Sequence, residues 1–324
     1  MPNSCFSYEI IRWNSRIDSV DELMPILIEY YGPGCTREWA SYKYCDVGNP
    51  TFASVAFLGG QPVGITVAGI QKFDDRGTQI LGTFSLVNYV HPDHRGKGLY
   101  TALLRNLEEQ AVDSQVSFMI TMPNAASGKG FMRAGYEIVG TSIETILVSN
   151  AKLPIRALQS WRSLRAFNPM APTRISGREA LARLNDARTE DGTIRSILTT
   201  PFLEHRLSPQ RQNRYSVVTA KDGTDAVLMH GHRGSVRECR ILATTQRSPE
   251  SIRGTDLIPY VRAHYSPDII TIRSTTLAAP KLEVRGAAVT RRANPPLLVR
   301  TTSFAPPSFN SRDVRLTGID THTW

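Results

Sequence analysis

Along the first 150 residues the spacing of apolar positions changes several times, and each change marks an element. Tyr8–Trp13 alternates with the two-residue period of a strand. Asp21–Tyr31 repeats its apolar residues every three or four positions behind acidic residues in the first turn, which predicts an amphipathic helix, and Glu38–Tyr44 reads as a second, short one. Thr51–Leu58 and Pro62–Ile70 are apolar runs flanking Gly59-Gly60, the pattern of a hairpin. Ile80–Val90 is a longer strand ending at His91-Pro92. In Leu99–Val112 the residues Leu103, Leu104, Leu107 and Ala111 recur at helical spacing. Val116–Thr121 is a buried strand, Asn124–Arg133 a short helix stopped by Gly135, and Tyr136–Val148 either a strand pair or one long strand. Strand and helix alternate throughout, so the fold class is α/β (α+β).

Pro154 and the arginine-rich stretch to Pro172 read as a linker with a short helix at Ile155–Phe167. The expected division is therefore 1–150, a linker at 151–172, and 173–324. The last part predicts helices at Arg178–Arg188 and Pro201–Leu207, strands Tyr215–Ala220 and Ala226–His232 joined at Asp222-Gly223, and a strand Glu238–Thr244. A helix Ile252–Tyr265 and a strand Ile269–Ile272 follow, and Leu297–Thr301 is expected to close that half's sheet. Both halves run from a helical segment with an acid (Glu38, Glu204) through an asparagine into a strand, a glycine turn and another strand. They read either as a worn repeat or as two ordinary α/β segments.

Charge separates the halves. The 324-residue chain has a net charge of +9. Residues 1–150 hold 11 Lys+Arg against 15 Asp+Glu, whereas residues 151–324 hold 27 against 14, nearly all of the cations being Arg. Such asymmetry fits nucleic acid, a membrane surface or an anionic small molecule. The arginines are scattered rather than interleaved with aromatics on one platform, which argues against nucleic acid. Apolar residues at 41% and charged residues at 21% are ordinary for a globular protein. No stretch reaches the roughly 18 consecutive apolar residues of a membrane helix. Met1-Pro2-Asn3-Ser4-Cys5 lacks the basic start and apolar run of a signal peptide, and the cysteines (Cys5, Cys35, Cys45, Cys239) show no CxxC spacing. The expectation is a cytoplasmic protein with reduced thiols.

The strongest chemical signal is Val90-His91-Pro92-Asp93-His94-Arg95-Gly96-Lys97-Gly98-Leu99, between a strand and a helix. Small residues let backbone approach a ligand closely, and a helix start offers unpaired N–H groups to an anion. A diphosphate there would gain those N–H bonds, the helix dipole, and charge from Arg95 and Lys97. The segment lacks the GK[ST] ending of an ATP-binding P-loop and the three spaced glycines of a dinucleotide fold.

It resembles the coenzyme A loop of the GCN5-related N-acetyltransferase (GNAT) superfamily, Arg/Gln-x-x-Gly-x-Gly/Ala after a strand ending Val-x-Pro. Val90, Pro92, Arg95 and Gly98 match, while Tyr100 stands where a small residue is usual. Asn124-Ala-Ala-Ser127…Phe131-Met-Arg-Ala-Gly135-Tyr136 is similar to the family's Asn-x-x-Ala/Ser…Tyr-x-Lys-x-Gly-Phe segment. The resemblance covers about residues 8–148 and implies a mixed, mostly antiparallel sheet flanked by helices. It implies a V-shaped opening between the Ile80–Val90 and Val116–Thr121 strands, and acetyl-CoA or another short acyl-CoA as co-substrate. The pantetheine arm would pair with main chain near Leu86–Val90, N–H groups of Arg95, Gly96, Lys97, Gly98, Leu99 and Tyr100 would hold the pyrophosphate, and Asn124, with Ser127 nearby, would reach the pantetheine side. An amine would attack the thioester directly, and a backbone N–H near Val90 would stabilise the oxyanion.

Many relatives place a proton-donating Tyr where this chain has Phe131, which cannot donate. By position the candidates for proton transfer are Glu38, Asn88, Tyr89 and His91, of which Asn88 can only orient a water. His230-x-His232 puts two rings on one strand face, and no third ligand accompanies them with convincing spacing, His205 included, so no metal is expected. The second half has no glycine in Thr245–Glu250 where a coenzyme loop would lie, and reads as a degenerate GNAT-like half that does not bind the cofactor. In outline the chain resembles tandem GNAT enzymes that acylate nucleotide-linked amino sugars, which makes an anionic nucleotide sugar the favoured acceptor, and a homodimer is compatible with the resemblance. The alternatives are acylation of a protein or peptide amine, and a non-catalytic acyl-CoA-binding protein, the latter suggested by Phe131 and Tyr100.

Overall fold

The computed structural model describes residues 8–45, 50–148, 168–169, 184, 193–197, 215–233, 236–245, 252, 255–276 and 290–315. Two compact units divide the chain: Met1–Phe73, Thr78–Val139 and Pro295–Arg312 form the first, and Asp74–Gly77, Gly140–Asn294 and Asp313–Trp324 the second.

In the first unit, β1 (Glu9–Asn14) leads to a single turn of 3₁₀ helix at Val20–Glu22, α1 (Met24–Tyr31) and α2 (Arg37–Tyr44). The helix expected from Asp21 starts later because Ser19 caps the 3₁₀ turn and Pro25, having no N–H to satisfy, sits in the first turn of α1. Then come β2 (Thr51–Leu58), β3 (Gln61–Asp75), β4 (Thr78–Val90), α3 (Leu99–Asp113), β5 (Phe118–Thr121), α4 (Ala125–Arg133) and the start of β6 (Glu137–Val148), a single long strand that belongs to the second unit from Gly140 onward. The β3–β4 hairpin is longer than the apolar runs suggest, turning at Arg76-Gly77, whose φ angles are 53° and 88°. Polar Gln71 and Asp75 interrupt the apolar pattern, yet both are buried on the extended strand.

Strand alternation sorts the core. Ala53, Val55 and Val67 pack with Ile26, Leu27, Ala40 and Tyr44 of α1 and α2, while Phe52 and Ala68 pack with Leu104, Leu107 and Phe131 of α3 and α4. Helices thus cover both faces of the sheet. Gln110 of α3 is buried and satisfied, donating to Ala53 O at 2.9 Å and Ser54 Oγ at 3.1 Å.

The second unit contains β7 (Asn168–Pro169), β8 (Ile194–Ser196), β9 (Tyr215–Thr219), β10 (Asp225–Arg233), β11 (Val236–Thr244), α5 (Leu257–Tyr265) and β12 (Ile269–Thr276). β9, β10 and β11 form an antiparallel meander, β11 runs parallel to β12 across α5, and β12 pairs antiparallel with the Thr141–Val148 part of β6. Leu228, Ile241, Leu257, Val261, Ile270 and Ile272 centre its core. A parallel strand–helix–strand unit therefore occurs twice, as β4–α3–β5 and as β11–α5–β12. The expected helices at 155–167, 178–188 and 201–207 lie outside the described residues apart from Leu184, which is helical.

Leu297–Thr301 does not close the second half's sheet. It ends β13 (Thr290–Thr301), whose part from Pro295 belongs to the first unit and pairs antiparallel with β5, Leu298 opposite Thr121 and Thr301 opposite Phe118. All four β5 residues are buried, so the strand needs a hydrogen-bonding neighbour on its free side, and β13 supplies it with buried Leu297, Leu298 and Val299. Two-residue β14 (Val314–Arg315) pairs parallel with β8 in the second unit.

Candidate functional site

The site grows from the one parallel strand pair described in the first unit. β4 and β5 pair at Gly82–Phe118, Thr83–Met119 and Phe84–Ile120, and among the described residues no pair between them follows. Ser85–Val90 of β4 therefore runs on past its neighbour and leaves an open edge. In a regular strand the side chains of residues 85 and 88 point to opposite faces. Asn88 Nδ2 nevertheless donates to Ser85 Oγ at 2.7 Å, and Leu86, Val87 and Tyr89 all pack against the α1–α2 cluster, so the strand is irregular here. Asn88 Oδ1 is buried without a partner.

Backbone direction past this point follows from one bond. His91 N–H donates to Val63 O on β3 at 2.9 Å, and strand N–H groups alternate between edges, so Val90 N–H faces the open edge. Val90 O is occupied: Arg95 Nε donates to it at 2.9 Å. Arg95 thereby ties the loop to the strand.

The loop itself is a 3₁₀ turn, Pro92–His94, followed by Gly96 and Gly98 with φ of 76° and 78°. These left-handed positions favour glycine, and at either one a Cβ would meet nothing of the protein within 4 Å. Gly98 is the N-cap of α3, and Leu99, Tyr100 and Thr101 begin the helix with N–H groups that have no intrahelical acceptor. Gly96, Lys97 and Gly98 are exposed and Leu99 is buried beneath them. The loop thus presents small, exposed residues and a helix N-terminus to solvent at the end of the open edge, a geometry able to hold a phosphate.

The Tyr100 side chain packs into the core beneath the loop. Its ring packs edge-on to Phe131 with centroids 5.7 Å apart, it fills the space that a Cβ on Gly130 would need, and its hydroxyl is buried without a partner. Burial pushes that hydroxyl's pKa far up. Phe131 is fully buried and also edge-on to Tyr136 at 4.9 Å, a core residue rather than one exposed at the open edge. Asn124 caps α4: its Oδ1 accepts from Ala126 N–H at 3.0 Å, Ser127 N–H at 2.9 Å and Ser127 Oγ at 3.1 Å. That occupation accounts for Asn124 and Ser127 as a helix start.

Of the proposed proton-transfer residues, Tyr89 and His91 come together, and they do so on Glu29, a residue the sequence reading passed over. Tyr89 Oη donates to Glu29 Oε1 at 2.6 Å, and His91 Nε2 lies 3.4 Å from the same oxygen. Burial, then the Glu29 hydrogen bond and charge, push Tyr89 up to about 12. His91 Nδ1 accepts Asp93 N–H at 3.3 Å. Tyr30 packs at a tilt on Tyr89 at 5.3 Å, and the ring contacts continue through Tyr31 and Trp39 to the buried Tyr44. Lys43 lies within that group, donating to Tyr31 Oη at 2.9 Å. Glu38 does something else. Its carboxylate turns back on the start of α2, where its own N–H and the Thr36 hydroxyl hold its pKa below the usual range. Glu29 was findable only from the fold, since one solvent-side acid on an amphipathic helix carries no signal in a sequence.

In the second unit His230 packs on Tyr265 at 4.8 Å with a buried, unpartnered Nδ1, and His205 lies outside the described residues. Among the described residues no group of three or more metal-ligating side chains occurs. Arg237 pairs with Asp268 at 3.1 Å and Arg240 with Glu238 at 2.8 Å. No helix among the described residues is long and apolar enough to cross a membrane.

Residues 20–136 match the sequence model of the acetyltransferase (GNAT) family. No curated protein matches the sequence. Among solved structures, a conserved protein of unknown function from Enterococcus faecalis V583, named a probable N-acyltransferase, is similar with a TM-score of 0.65 at 12% identity, over 92% of this chain and 73% of that one. A GCN5-related N-acetyltransferase from Anabaena variabilis gives 0.62 at 13% identity, over 90% and 73%. Eis1 from Mycobacterium abscessus gives 0.54 at 16%, over 91% and 73%. At these identities the likeness is one of fold, and it extends over both halves.

Proposed function

We propose, from the match of residues 20–136 to the sequence model of the acetyltransferase (GNAT) family, an N-acyltransferase that moves an acetyl or short acyl group from acyl-CoA to a primary amine of a small molecule. The observation that carries it is the combination at one place of an open β4 edge and a glycine loop at the start of α3. Pantetheine would add to the edge at Leu86–Val90, backbone N–H groups from Gly96 to Tyr100 would hold the pyrophosphate, and Val90 N–H faces the edge where a thioester oxygen would lie. Asn88 Oδ1, buried and unpartnered beside that edge, is an acceptor suited to a pantetheine amide N–H.

The reaction needs no covalent enzyme intermediate. The amine's lone pair attacks the thioester carbon, a C–N bond forms, the C–S bond breaks, and its electron pair leaves on the coenzyme's sulfur. Neither Phe131 nor the buried Tyr100 hydroxyl is exposed to the leaving sulfur, so the thiolate takes its proton from solvent. A general acid typically contributes about 10² to 10⁴-fold, and a thiolate is a leaving group good enough to go without one.

Among acceptors a nucleotide-linked amino sugar is the class to try first, supported by the arginine excess of residues 151–324 and the bidentate fit of Arg to phosphate. Arg237 and Arg240 are already committed to carboxylates, so such an acceptor would have to use other arginines. Calorimetry with acetyl-CoA, followed by a thiol-release assay over a panel of amines, tests the reading. Absence of binding at near-millimolar acetyl-CoA overturns it. Binding without thiol release from any amine would favour a non-catalytic acyl-CoA-binding protein instead.

A further inference from the structure

We infer that Glu29 is the residue that draws in the acceptor's ammonium group and takes its proton, with Tyr89 holding its carboxylate in place beside His91. The inference rests on the acyl-transfer reading and adds to it the acceptor side of the site. Its starting point is which lone pairs are available. His91 Nδ1 accepts Asp93 N–H, so in the neutral ring the proton is on Nε2, and Nε2 points to Glu29 Oε1 at 3.4 Å. His91 has no lone pair left to act as a base. Tyr89 is a donor as well, committed to the same oxygen at 2.6 Å and with its pKa raised. Two of the four candidates named from the sequence, Tyr89 and His91, thus present N–H or O–H groups rather than lone pairs to one carboxylate oxygen, Tyr89 in a hydrogen bond and His91 at 3.4 Å.

The consequence for Glu29 is specific. One hydrogen bond, from Tyr89 Oη, fixes the carboxylate through Oε1, and His91 Nε2 lies 3.4 Å from the same oxygen without bonding to it. The side chain remains about a third exposed, so it reaches solvent while being held. It projects from α1 to Tyr89, next to the residue whose N–H faces the open edge. Tyr30, itself exposed and 5.3 Å from Tyr89, adds an aromatic face beside the acid. An acid with aromatic rings beside it attracts a cationic amine by charge and by cation–π interaction. Other titratable or charged groups near this cluster are Asp93, Arg95, His94 and Tyr8, the last two joined at 3.1 Å between Tyr8 Oη and His94 Nδ1.

The proton balance is then complete. An alkylammonium has no lone pair and cannot attack. Glu29 takes one proton from it and passes that proton to water. The freed lone pair forms the C–N bond, the C–S bond breaks, and the amide nitrogen's second proton reaches the departing thiolate by way of solvent. The products are the amide, the free thiol and one released proton.

The test compares wild type with Glu29→Gln and Glu29→Asp, using acetyl-CoA with two small nucleophiles, ethylamine (charged at neutral pH) and methoxyamine (already neutral). Glu29→Gln should leave acetyl-CoA affinity within about 2-fold by calorimetry, and lower kcat/KM for ethylamine by about 10²-fold, the scale of general-base catalysis. Methoxyamine should lose far less, and Glu29→Asp should recover part of the ethylamine rate. Equal losses for the two nucleophiles would mean a structural role and would overturn the proposal, as would an unchanged rate with ethylamine. Wild type that binds acetyl-CoA but acylates neither nucleophile, nor any amine of the wider panel, would instead overturn the acyl-transfer reading and Glu29's role with it.

Discussion

The ring of Tyr100 occupies the space that any side chain at Gly130 would need, so the first turn of α3 and the middle of α4 are fitted to each other through a missing Cβ. Gly130→Ala brings two opposed effects. Replacing a helical glycine by alanine gains roughly 0.5–1 kcal/mol, and overpacking a closed contact costs typically about 1–3 kcal/mol. The contact is to ring carbons of Tyr100, whose ring is packed edge-on against fully buried Phe131 and has little room to yield, so the cost prevails. Gly130→Ala should destabilise the protein by about 1–2 kcal/mol in denaturant unfolding. In a Tyr100→Leu background the same change should become neutral or stabilising, a reversal that a double-mutant cycle detects.

Gly98 makes a contrasting case. A Cβ there meets nothing of the protein, and the cost of Gly98→Ala is confined to the left-handed φ of 78°, about 1–2 kcal/mol. Any larger effect on ligand binding must come from the ligand's own approach to the backbone. The expectation is a folded variant whose acetyl-CoA affinity falls more than about 10-fold, the equivalent of 1.4 kcal/mol. Affinity unchanged within error would remove the pyrophosphate from this loop.

What the sequence displayed and what it concealed divide along physical lines. Local signals carried the Leu99–Asp113 helix, with its stripe of Leu103, Leu104 and Leu107, and the glycine loop before it, because period and left-handed glycines are written in adjacent residues. Partners far apart in sequence were not legible. β13 lies beside β5 although more than 170 residues separate them, and nothing local in Leu297–Thr301 names its neighbour. Glu29 belongs to Tyr89 and His91 for the same reason, through a tertiary contact. Tyr100 broke the expected small-residue pattern, and its compensation, Gly130, is visible only when α3 and α4 are packed together.

The buried pair in the second unit gives a stability prediction of a different kind. Glu238 has a fully buried side chain, accepting from Arg240 Nε and from Thr271 Oγ, each at 2.8 Å. Removing only the cation leaves that carboxylate buried beside the Thr271 hydroxyl but without the Arg240 charge. Arg240→Ala should therefore cost about 3–5 kcal/mol by denaturant unfolding. The double replacement Glu238→Leu with Arg240→Met removes both charges and should recover most of that loss. A single variant no less stable than the double would show that the carboxylate does not need the Arg240 charge.

His230 ties the second unit's stability to pH. Burial first, and the nearby His232 second, lower its pKa from the ordinary 6.5, and its Nδ1 is buried against no partner. Well above pH 6.5 the ring is neutral both folded and unfolded and contributes nothing to pH dependence. Below 6.5 the unfolded chain binds a proton that the folded chain refuses, so stability falls as the solution is acidified. The fall from this residue ends once pH drops through the lowered folded value, where both states are protonated. Replacing the ring by His230→Leu, which keeps an apolar contact for Tyr265, should flatten the decline in Tm just below pH 6.5 relative to wild type. Parallel Tm profiles for the two proteins across that range would assign the acid sensitivity to another group.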